Sequence, residues 1–192
     1  MKKIFLGIIA IVFFTSLSAC SESKKVEFKE IQDGKISKSN LYSNDGIGLK
    51  VQFPKDWVSL AKDDFPSSLN ESKNMKPLAV FMNKKISESD TQVDYVFQIL
   101  TIKSTIPADE QLYGIKAQAE ILTDLKMKTG EVTSYKINGK KFFSLESQII
   151  GQGTTTTVVY DAGNYVIEFI GFFKSGKKAK SIESIINSIK IE

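Results

Sequence analysis

The second half of the chain alternates β-type segments with strong turn signals, and this pattern limits the available folds more than any other feature. Asn138-Gly139, residues 151–153 and residues 161–164 separate four segments rich in aromatic and β-branched residues. Asn-Gly favours a two-residue hairpin because both positions tolerate positive φ. Connections this short join antiparallel neighbours. The sequence therefore predicts an antiparallel meander whose strands cover residues 132–137, 140–150, 154–160 and 165–173.

The first half contains β-type segments as well. Residues 48–53 alternate apolar and polar side chains until Pro54 ends the strand. A bend then brings Trp57, the only tryptophan, to the edge of the core. Further strands are predicted at residues 41–43, 78–82 and 93–103, and a polar loop at residues 60–76.

Two helices are predicted to cover the sheet. The first runs from Pro107 to about Gly130, with acidic residues at its start and Lys126 and Lys128 at its end, as the helix dipole favours. The second covers about residues 176–188 and has one apolar face. The isoleucines of that face are Ile182, Ile185, Ile186 and Ile189. Helices packed on a mostly antiparallel sheet define an α+β fold.

The N-terminus has the order of a secretory signal peptide. Two lysines at positions 2 and 3 are followed by an apolar block from Ile4 to Phe14 and by small residues up to Ala19. The block is much shorter than the roughly 20 apolar residues that a transmembrane helix needs. Residues 1–19 are therefore predicted to be a signal peptide that is removed.

Residues 17–20, Leu-Ser-Ala-Cys, resemble the lipobox of bacterial lipoproteins. The resemblance implies cleavage between Ala19 and Cys20 and a diacylglyceryl group attached to the Cys20 thiol through a thioether. Because Cys20 is the only cysteine, an intramolecular disulfide is excluded. The resemblance also implies a lipid-anchored, extracytoplasmic place in the bacterial cell envelope. Ser21 rather than Asp follows the cysteine, which implies the outer membrane if the host has two membranes.

These features divide the chain into three parts. Residues 1–19 form the signal peptide, residues 20–40 the lipidated cysteine and a flexible polar tether, and residues 41–192 a single globular domain. An alternative for part of the tether is an edge strand at Val26-Glu27-Phe28, since these residues alternate.

The composition argues against several kinds of chemistry. The chain has no histidine, which removes the common general base, catalytic triad and imidazole metal ligand. The sequence therefore predicts that the protein is not an enzyme and has no catalytic residue, cofactor or metal site. Removal of residues 1–19 leaves 24 lysines and 22 acidic residues, a net charge of +2. With scattered lysines and no arginine, nucleic acid is not a predicted partner.

The order of the predicted elements resembles that of the PsbP-like proteins. The resemblance covers about residues 41–192 and rests on Val-Gln-Phe-Pro-Lys-Asp-Trp at residues 51–57, the mid-chain helix, the meander and the closing helix within residues 173–191. This group includes the photosystem PsbP subunits, a Ran-binding nuclear import factor and bacterial lipoproteins of the DcrB kind. It implies an α/β/α sandwich around an antiparallel sheet and a domain that binds or stabilises other proteins, without shared catalytic residues.

Other motifs have simple structural interpretations. The acidic pairs Asp63-Asp64 and Asp109-Glu110 are candidates for acid–base chemistry. The first lies in the predicted polar loop and the second at a predicted helix start, so both are expected to be solvated structural residues. The four threonines at residues 154–157 are expected to form an exposed strand.

Two functions remain open. The first is a non-catalytic envelope lipoprotein whose domain binds or stabilises a partner protein. The second is a small-ligand-binding protein or a hydrolase that uses carboxylates. A deep pocket with converging carboxylates or a lysine would favour the second, and a filled core with shallow grooves would favour the first.

Four lysines cluster where the last helix is predicted to begin. They are Lys174, Lys177, Lys178 and Lys180. Positive charge at a helix start opposes the helix dipole, so helix stability does not explain the cluster. One interpretation is a solvated, lysine-rich corner, because exposed lysine is common. The other is an anion-binding patch that contacts lipid phosphates or an acidic partner.

Overall fold

The structure is a computed structural model that describes residues 31–65, 74–83, 93–104, 106–121 and 126–192. Within these ranges the chain forms two sheets and two α-helices. The signal peptide, the part of the tether from Cys20 to residue 30 with the alternative strand at Val26-Glu27-Phe28, and residues 66–73 of the predicted loop lie outside the described residues.

The described strands are numbered in chain order. They are β1 (Lys35–Ile36), β2 (Leu41–Asn44), β3 (Leu49–Gln52), β4 (Val58–Ser59), β5 (Met75–Met82), β6 (Tyr95–Ile102), β7 (Met127–Thr129), β8 (Thr133–Ile137), β9 (Lys140–Ile149), β10 (Gly153–Asp161), β11 (Val166–Lys174) and β12 (Lys190–Ile191). The helices are α1 (Ala108–Ile121) and α2 (Lys180–Asn187). Single turns of 3-10 helix occur at Asp45–Ile47 and Lys62–Asp64.

Every strand pairing within the described residues is antiparallel. The larger sheet has the order β4-β5-β6-β11-β10-β9-β7, and β8 also pairs with β9. The smaller sheet has the order β1-β2-β3-β12. The predicted meander is present as β8 to β11, and Asn138 and Gly139 both have positive φ in its first turn. The predicted α+β fold with a mostly antiparallel sheet is confirmed.

The larger sheet lies between two different coverings. On one face, Leu112 and Ile115 of α1 pack against Leu145 and Val159 of the sheet. On the other face, α2 and the smaller sheet pack together against the large aromatic side chains of β5, β6 and β11. The sandwich implied by the family resemblance is therefore present, with the smaller sheet as part of the second covering.

Gly171 of β11 allows α2 to lie directly on the sheet. A Cβ atom added at residue 171 would be 2.3 Å from Cγ2 of Ile182. Such a contact is too close for any side chain, so only glycine fits without displacing the helix. The close approach of Gly171 to Ile182 therefore sets the position of α2 and of the turn that joins β11 to it.

The first helix ends earlier than its sequence signals predict. α1 ends at Ile121 as far as the structure describes it, and Met127–Thr129 form the edge strand β7 rather than a last helical turn. β7 pairs with residues 147–149 of β9. The predicted helix end at Lys126, Lys128 and Gly130 is therefore wrong, because these residues complete the sheet edge.

The predicted tether is too long at its C-terminal end. Ile31 is 7% exposed and belongs to the core, and β1 pairs with β2. Asp33 forms ion pairs with Lys62 and Lys76, and the hydrogen bond from Lys62 is the main cause of the lowered pKa of Asp33. Residues 31–40 therefore lie on the domain, which begins before Leu41. The sequence did not reveal this because residues 31–40 are mostly polar and contact the domain through few apolar side chains.

The threonine-rich strand is only partly exposed. β10 lies between β9 and β11, and Thr155 and Thr157 are buried, whereas Thr154 and Thr156 are half-buried. The expectation of an exposed strand is therefore wrong. A run of identical residues carries no alternation, so the sequence offered no contrast between the two faces.

Candidate functional site

An open groove of about 520 Å³ lies beside the start of α2. It is lined by Pro54, Tyr95, Gly176, Lys177, Lys178, Lys180, Ser181 and Ser184. We call this feature the lysine groove. Its lining contains three ammonium groups and three hydroxyl groups, and no acidic residue among those that the structure describes lines it. The groove is therefore a cationic surface that offers hydrogen-bond donors.

The structure brings together three of the four lysines that the sequence singled out. Lys177, Lys178 and Lys180 line the groove, whereas Lys174 is the last residue of β11 and does not line it. The helix begins only at Lys180. The expected position of all four lysines at the start of the helix is therefore wrong, since three of them precede it.

The turn between β11 and α2 is fixed by main-chain hydrogen bonds. The amide of Lys174 donates to the carbonyl oxygen of Asp94 at 2.8 Å, and the amide of Lys177 donates to that of Lys174 at 3.0 Å. Gly176 has φ of +83°, a left-handed conformation that favours glycine. These contacts hold the lysine-bearing segment against the first residues of β6.

One groove lysine is neutralised by a neighbour. Nζ of Lys177 lies 3.0 Å from Oδ2 of Asp94. Within the described residues, Lys178 and Lys180 form no such ion pair, and both are exposed. The positive charge that is available to a ligand therefore resides mainly on Lys178 and Lys180.

Tyr95 is the aromatic residue of the groove lining and lies next to two further aromatic rings. The hydroxyl of Tyr95 donates to the carbonyl oxygen of Lys178 at 3.2 Å. The ring of Tyr95 lies 6.0 Å from that of Trp57, which lies 6.4 Å from that of Phe53. The bend predicted between Pro54 and Trp57 thus reaches the groove, and its tryptophan is buried as expected.

Asn40 holds this bend in place, although the sequence places it in the tether. Its Nδ2 donates to the carbonyl oxygens of Pro54 and Trp57, each at 2.8 Å. Asn40 also has φ of 59°, which asparagine tolerates better than most residues. An asparagine in a polar segment gives no local sign of such a contact, and only the proximity of residues 40 and 54 in the fold reveals it.

The first turn of α2 adds backbone donors to the groove. Ala179 at the N-cap provides no side-chain hydrogen bond to the helix. The amides at a helix start lack partners within the helix and carry partial positive charge. Lys180, Ser181 and Ser184 of this helix all line the groove. The groove can therefore bind a carboxylate or phosphate group.

The acidic pairs show no catalytic arrangement. Asp63 and Asp64 lie in an exposed 3-10 turn, and Asp109 and Glu110 lie in the first turn of α1, as the sequence predicts. Among the residues that the structure describes, no group of three or more acidic or cysteine side chains could hold a metal ion. No helix in the same residues is long and apolar enough to cross a membrane.

Comparison with solved structures finds similar proteins, although no family model and no curated protein matches the sequence. CyanoP, the cyanobacterial PsbP of Synechocystis sp. PCC 6803, has a TM-score of 0.52 and 15% identity, with 92% of this chain and 99% of CyanoP covered. LpqN of Mycobacterium tuberculosis, involved in cell envelope biogenesis, has a TM-score of 0.46 and 12% identity, with 74% and 83% covered. A Bacteroides thetaiotaomicron VPI-5482 protein has a TM-score of 0.43 and 15% identity over 84% of this chain. The chain spans about half of that protein, 49% of its length.

The similarity to CyanoP extends over nearly the whole of both chains. At 15% identity it shows the fold alone. The domain therefore has the PsbP-like fold, and the fold implied by the sequence resemblance is confirmed.

Proposed function

We propose that this protein is a non-catalytic, lipid-anchored protein of the bacterial cell envelope whose domain binds a partner protein through the lysine groove. The observation that carries the proposal is the composition of the groove. Lys178 and Lys180, which form no ion pair within the described residues, and the first turn of α2 line one concavity, and no described acidic residue lines it. Such a surface is complementary to an acidic segment of a partner.

The shape of the groove favours a protein segment over a lipid surface. A bilayer is flat, whereas the groove is concave and its lining includes the ring of Tyr95 and the apolar side chain of Pro54. A protruding segment can place a carboxylate against Lys178 and Lys180 and an apolar group against Tyr95. Aromatic anchors at the centre of a binding surface contribute much of the affinity in protein complexes.

The lipid anchor rests on the sequence. Cys20 directly follows the predicted signal peptide and is the last residue of the lipobox-like tetrapeptide, and two acyl chains anchor a protein stably to a membrane. If the host has two membranes, we expect the outer membrane, because Ser21 follows the cysteine. The chain between Cys20 and Ile31 would hold the domain near the membrane surface.

The alternative function is a small-ligand-binding protein or a hydrolase that uses carboxylates, and the hydrolase makes the sharper demand on the site. Such an enzyme needs acids that converge on a substrate pocket. No acidic residue that the structure describes lines the lysine groove, and Asp94, which contacts the groove residue Lys177, is held in an ion pair with it. The groove therefore favours binding over hydrolysis.

Site-directed photocrosslinking in intact cells tests the binding surface. A photoreactive residue replaces Ser184 in the groove, and a second strain carries it at exposed Glu146 on β9. We expect a discrete protein adduct from residue 184 and not from residue 146. We also expect Lys178→Gln with Lys180→Gln to reduce the adduct several-fold, because the charge complementary to the acidic partner is lost.

A control variant with the same loss of charge at another place distinguishes an effect of the groove from an effect of net charge. Lys136 and Lys140 are exposed on the hairpin of β8 and β9, and changing both to glutamine removes the same charge elsewhere. This control should leave the adduct unchanged. An adduct that survives the groove changes, or that both pairs reduce equally, contradicts the proposal. Adducts only to lipid would assign the groove to the membrane instead.

A further inference from the structure

The side of α1 that points away from the sheet has a distinctive composition. The buried residues Leu112, Ile115 and Ala119 recur at helical spacing and face the sheet. The opposite side is exposed, and we call it the outer face of α1. It consists of Glu110, Tyr113, Gly114, Ala117, Glu120 and Ile121.

An apolar stripe runs along this outer face. Tyr113, Ala117 and Ile121 are spaced four residues apart, so they are neighbours on the helix surface. Tyr113 is 53% exposed and Ile121 is 76% exposed. A helix that covers a sheet normally has charged or polar residues on its solvent side. The stripe is therefore a surface that contact with another molecule would cover.

Gly114 lies beside this stripe without a packing reason inside the chain. A Cβ atom added at residue 114 would have no atom of the described residues within 4 Å. Glycine in a helix interior is less favourable than alanine, because it loses more backbone freedom on folding. On the outer face, the missing side chain lets another molecule approach the helix backbone closely.

The charged groups of the outer face are acidic. Glu110 and Glu120 are exposed, and neither forms an ion pair within the described residues. Nζ of Lys116, at the border of the face, lies 2.8 Å from Oε1 of Glu131 and is held in that ion pair. The outer face therefore combines two available carboxylates with an apolar stripe.

These properties complement those of the lysine groove. Within the described residues, the groove provides Lys178 and Lys180 without an ion pair, and the ring of Tyr95 lies beside them. Opposite charges across an interface steer association and fix the orientation of the partners. This one chain therefore carries both halves of a complementary contact.

The two surfaces cannot meet within one molecule. α1 packs on one face of the larger sheet, and α2, whose first turn lines the groove, packs on the other face. A contact between the groove and the outer face of α1 therefore joins two copies. Because each copy contributes a different surface, the contact is heterologous and continues into a chain or a ring of copies.

We propose that the lysine groove of one copy binds the outer face of α1 of a second copy, so that Lys178 and Lys180 meet Glu110 and Glu120. This inference rests on the proposed function and identifies the acidic partner segment as one that the chain itself carries. The predicted lipid anchor favours the contact, because it holds all copies at one membrane and so raises their local concentration.

Crosslinking between introduced cysteines tests the contact in the full-length protein held in detergent. Ser184→Cys places a thiol in the groove, and Ala117→Cys places one on the outer face of α1. We expect a short bismaleimide to link the variant with both cysteines into dimers, trimers and larger species on a denaturing gel. Each single variant should stay monomeric, because like surfaces do not meet. Wild type, whose only cysteine is the predicted lipid-attachment residue, sets the background.

Charge reversal makes the test specific. In the variant with both cysteines, Lys178→Glu with Lys180→Glu should abolish the crosslinked species. Glu110→Lys with Glu120→Lys should do the same. The variant with all four reversals should restore them, because opposite charges then face each other in exchanged positions.

A matched control adds the same positive charge elsewhere. Asp63→Lys with Glu146→Lys changes two exposed acids outside both surfaces and should keep the crosslinked species. Three results overturn the proposal: no crosslinked species from the variant with both cysteines, crosslinked dimers from a single-cysteine variant, or no return of these species in the fourfold reversal. A photoadduct from residue 184 to a different protein, without self-crosslinking, would also overturn it and leave the proposed function standing.

Discussion

Asn40 shows how one amide side chain determines the position of a bend that is distant in sequence. Its Nδ2 donates to the carbonyl oxygens of Pro54 and Trp57. In addition, the main-chain carbonyl oxygen of Asn40 accepts a hydrogen bond from the amide of Phe53. Because Pro54 lines the lysine groove, this side chain supports the wall of the candidate site. A residue without any catalytic or binding chemistry of its own therefore contributes to the shape of the groove.

Asn40→Asp should destabilise the domain. The substitution keeps the shape of the side chain but points a carboxylate at two carbonyl oxygens, and it removes both donors. Unpaired buried acceptors of this kind cost about 1–3 kcal/mol, so we expect a lower melting temperature by calorimetry. Asn164→Asp, at an exposed loop position, is the control and should melt like wild type. Equal melting of the two variants would show that Asn40 does not hold the bend.

Glu168 should make stability depend on pH in an unusual direction. Burial raises its pKa from an ordinary value of 4.5 to about 7 in the folded state. The folded protein therefore binds this proton more tightly than the unfolded chain does. The contribution of Glu168 to the free energy of unfolding is fully present below about pH 4.5 and is lost as the pH rises through about 7. It amounts to on the order of 3 kcal/mol.

Urea unfolding of wild type and Glu168→Gln at about pH 5 and about pH 8 measures this effect. The variant should exceed wild type in the free energy of unfolding at the higher pH, and the difference should shrink at the lower pH. Glu146→Gln, at an exposed position, should keep the wild-type dependence. If Glu168→Gln showed the wild-type pH dependence of the free energy of unfolding, the raised pKa of Glu168 would be contradicted.

At the scale of elements, α2 is held at both ends. Its first turn follows the fixed turn at Gly176, and its middle packs on β11 at Gly171. Beyond its last turn, Oγ of Ser188 accepts the amide of Gln52 at 2.9 Å, and Nδ2 of Asn138 donates to the carbonyl oxygen of Ile189 at 2.7 Å. A short helix with so many contacts is an integral part of the domain.

Ile185→Ala should therefore clearly lower the melting temperature. Ile185 is 1% exposed in the interface between α2 and the sheet. Truncation of a buried isoleucine costs about 2–5 kcal/mol, a large part of the stability of a typical domain. Asn187→Ala, at the exposed end of the same helix, should have little effect. An unchanged melting temperature for Ile185→Ala would indicate that α2 detaches from the sheet and acts as a recognition element.

At the scale of the whole molecule, the last described strand pairs with an early one. β12 pairs with β3, and Lys50 forms an ion pair with Glu192. The domain therefore joins segments that are far apart in sequence, while the predicted lipid attachment lies at Cys20, before its first described residue. This separation would leave the domain free to bind a partner while the lipid remains in the membrane.

Cys20→Ala tests the anchor directly. The thioether cannot form without the thiol, so the domain should leave the membrane fraction or accumulate as an uncut precursor. Fractionation with immunoblotting measures both outcomes, and Ser23→Ala, outside the lipobox-like residues, is the control. A Cys20→Ala protein that is cut normally and stays with the membrane would show that Cys20 is not the lipid-attachment site.

Local signals predicted much of this fold. The turn at Asn138-Gly139, the meander and the buried face of the last helix each depend on residues within a few positions of one another. The end of α1 was mispredicted because Met127–Thr129 have helix-end signals nearby but form a sheet edge with distant β9. The sequence predicted the lysines of the candidate site because they are close together in the chain. It did not predict Tyr95 and Pro54, which come near the lysines only in the folded domain.

The sequence by itself determined the α+β class, the strand order along the meander and the predicted lipid-attachment residue, because turn chemistry, periodicity and the lipobox-like motif are all short-range properties. Only the tertiary structure placed Asn40 on the bend, brought the lysines next to Tyr95 and Pro54, and buried the side chains of Gln98, Thr155 and Glu168. Burial of a strand residue depends on the elements that pack against the sheet, and these are distant in sequence. The sequence around a threonine or glutamine is therefore the same whether its side chain contacts water or another element.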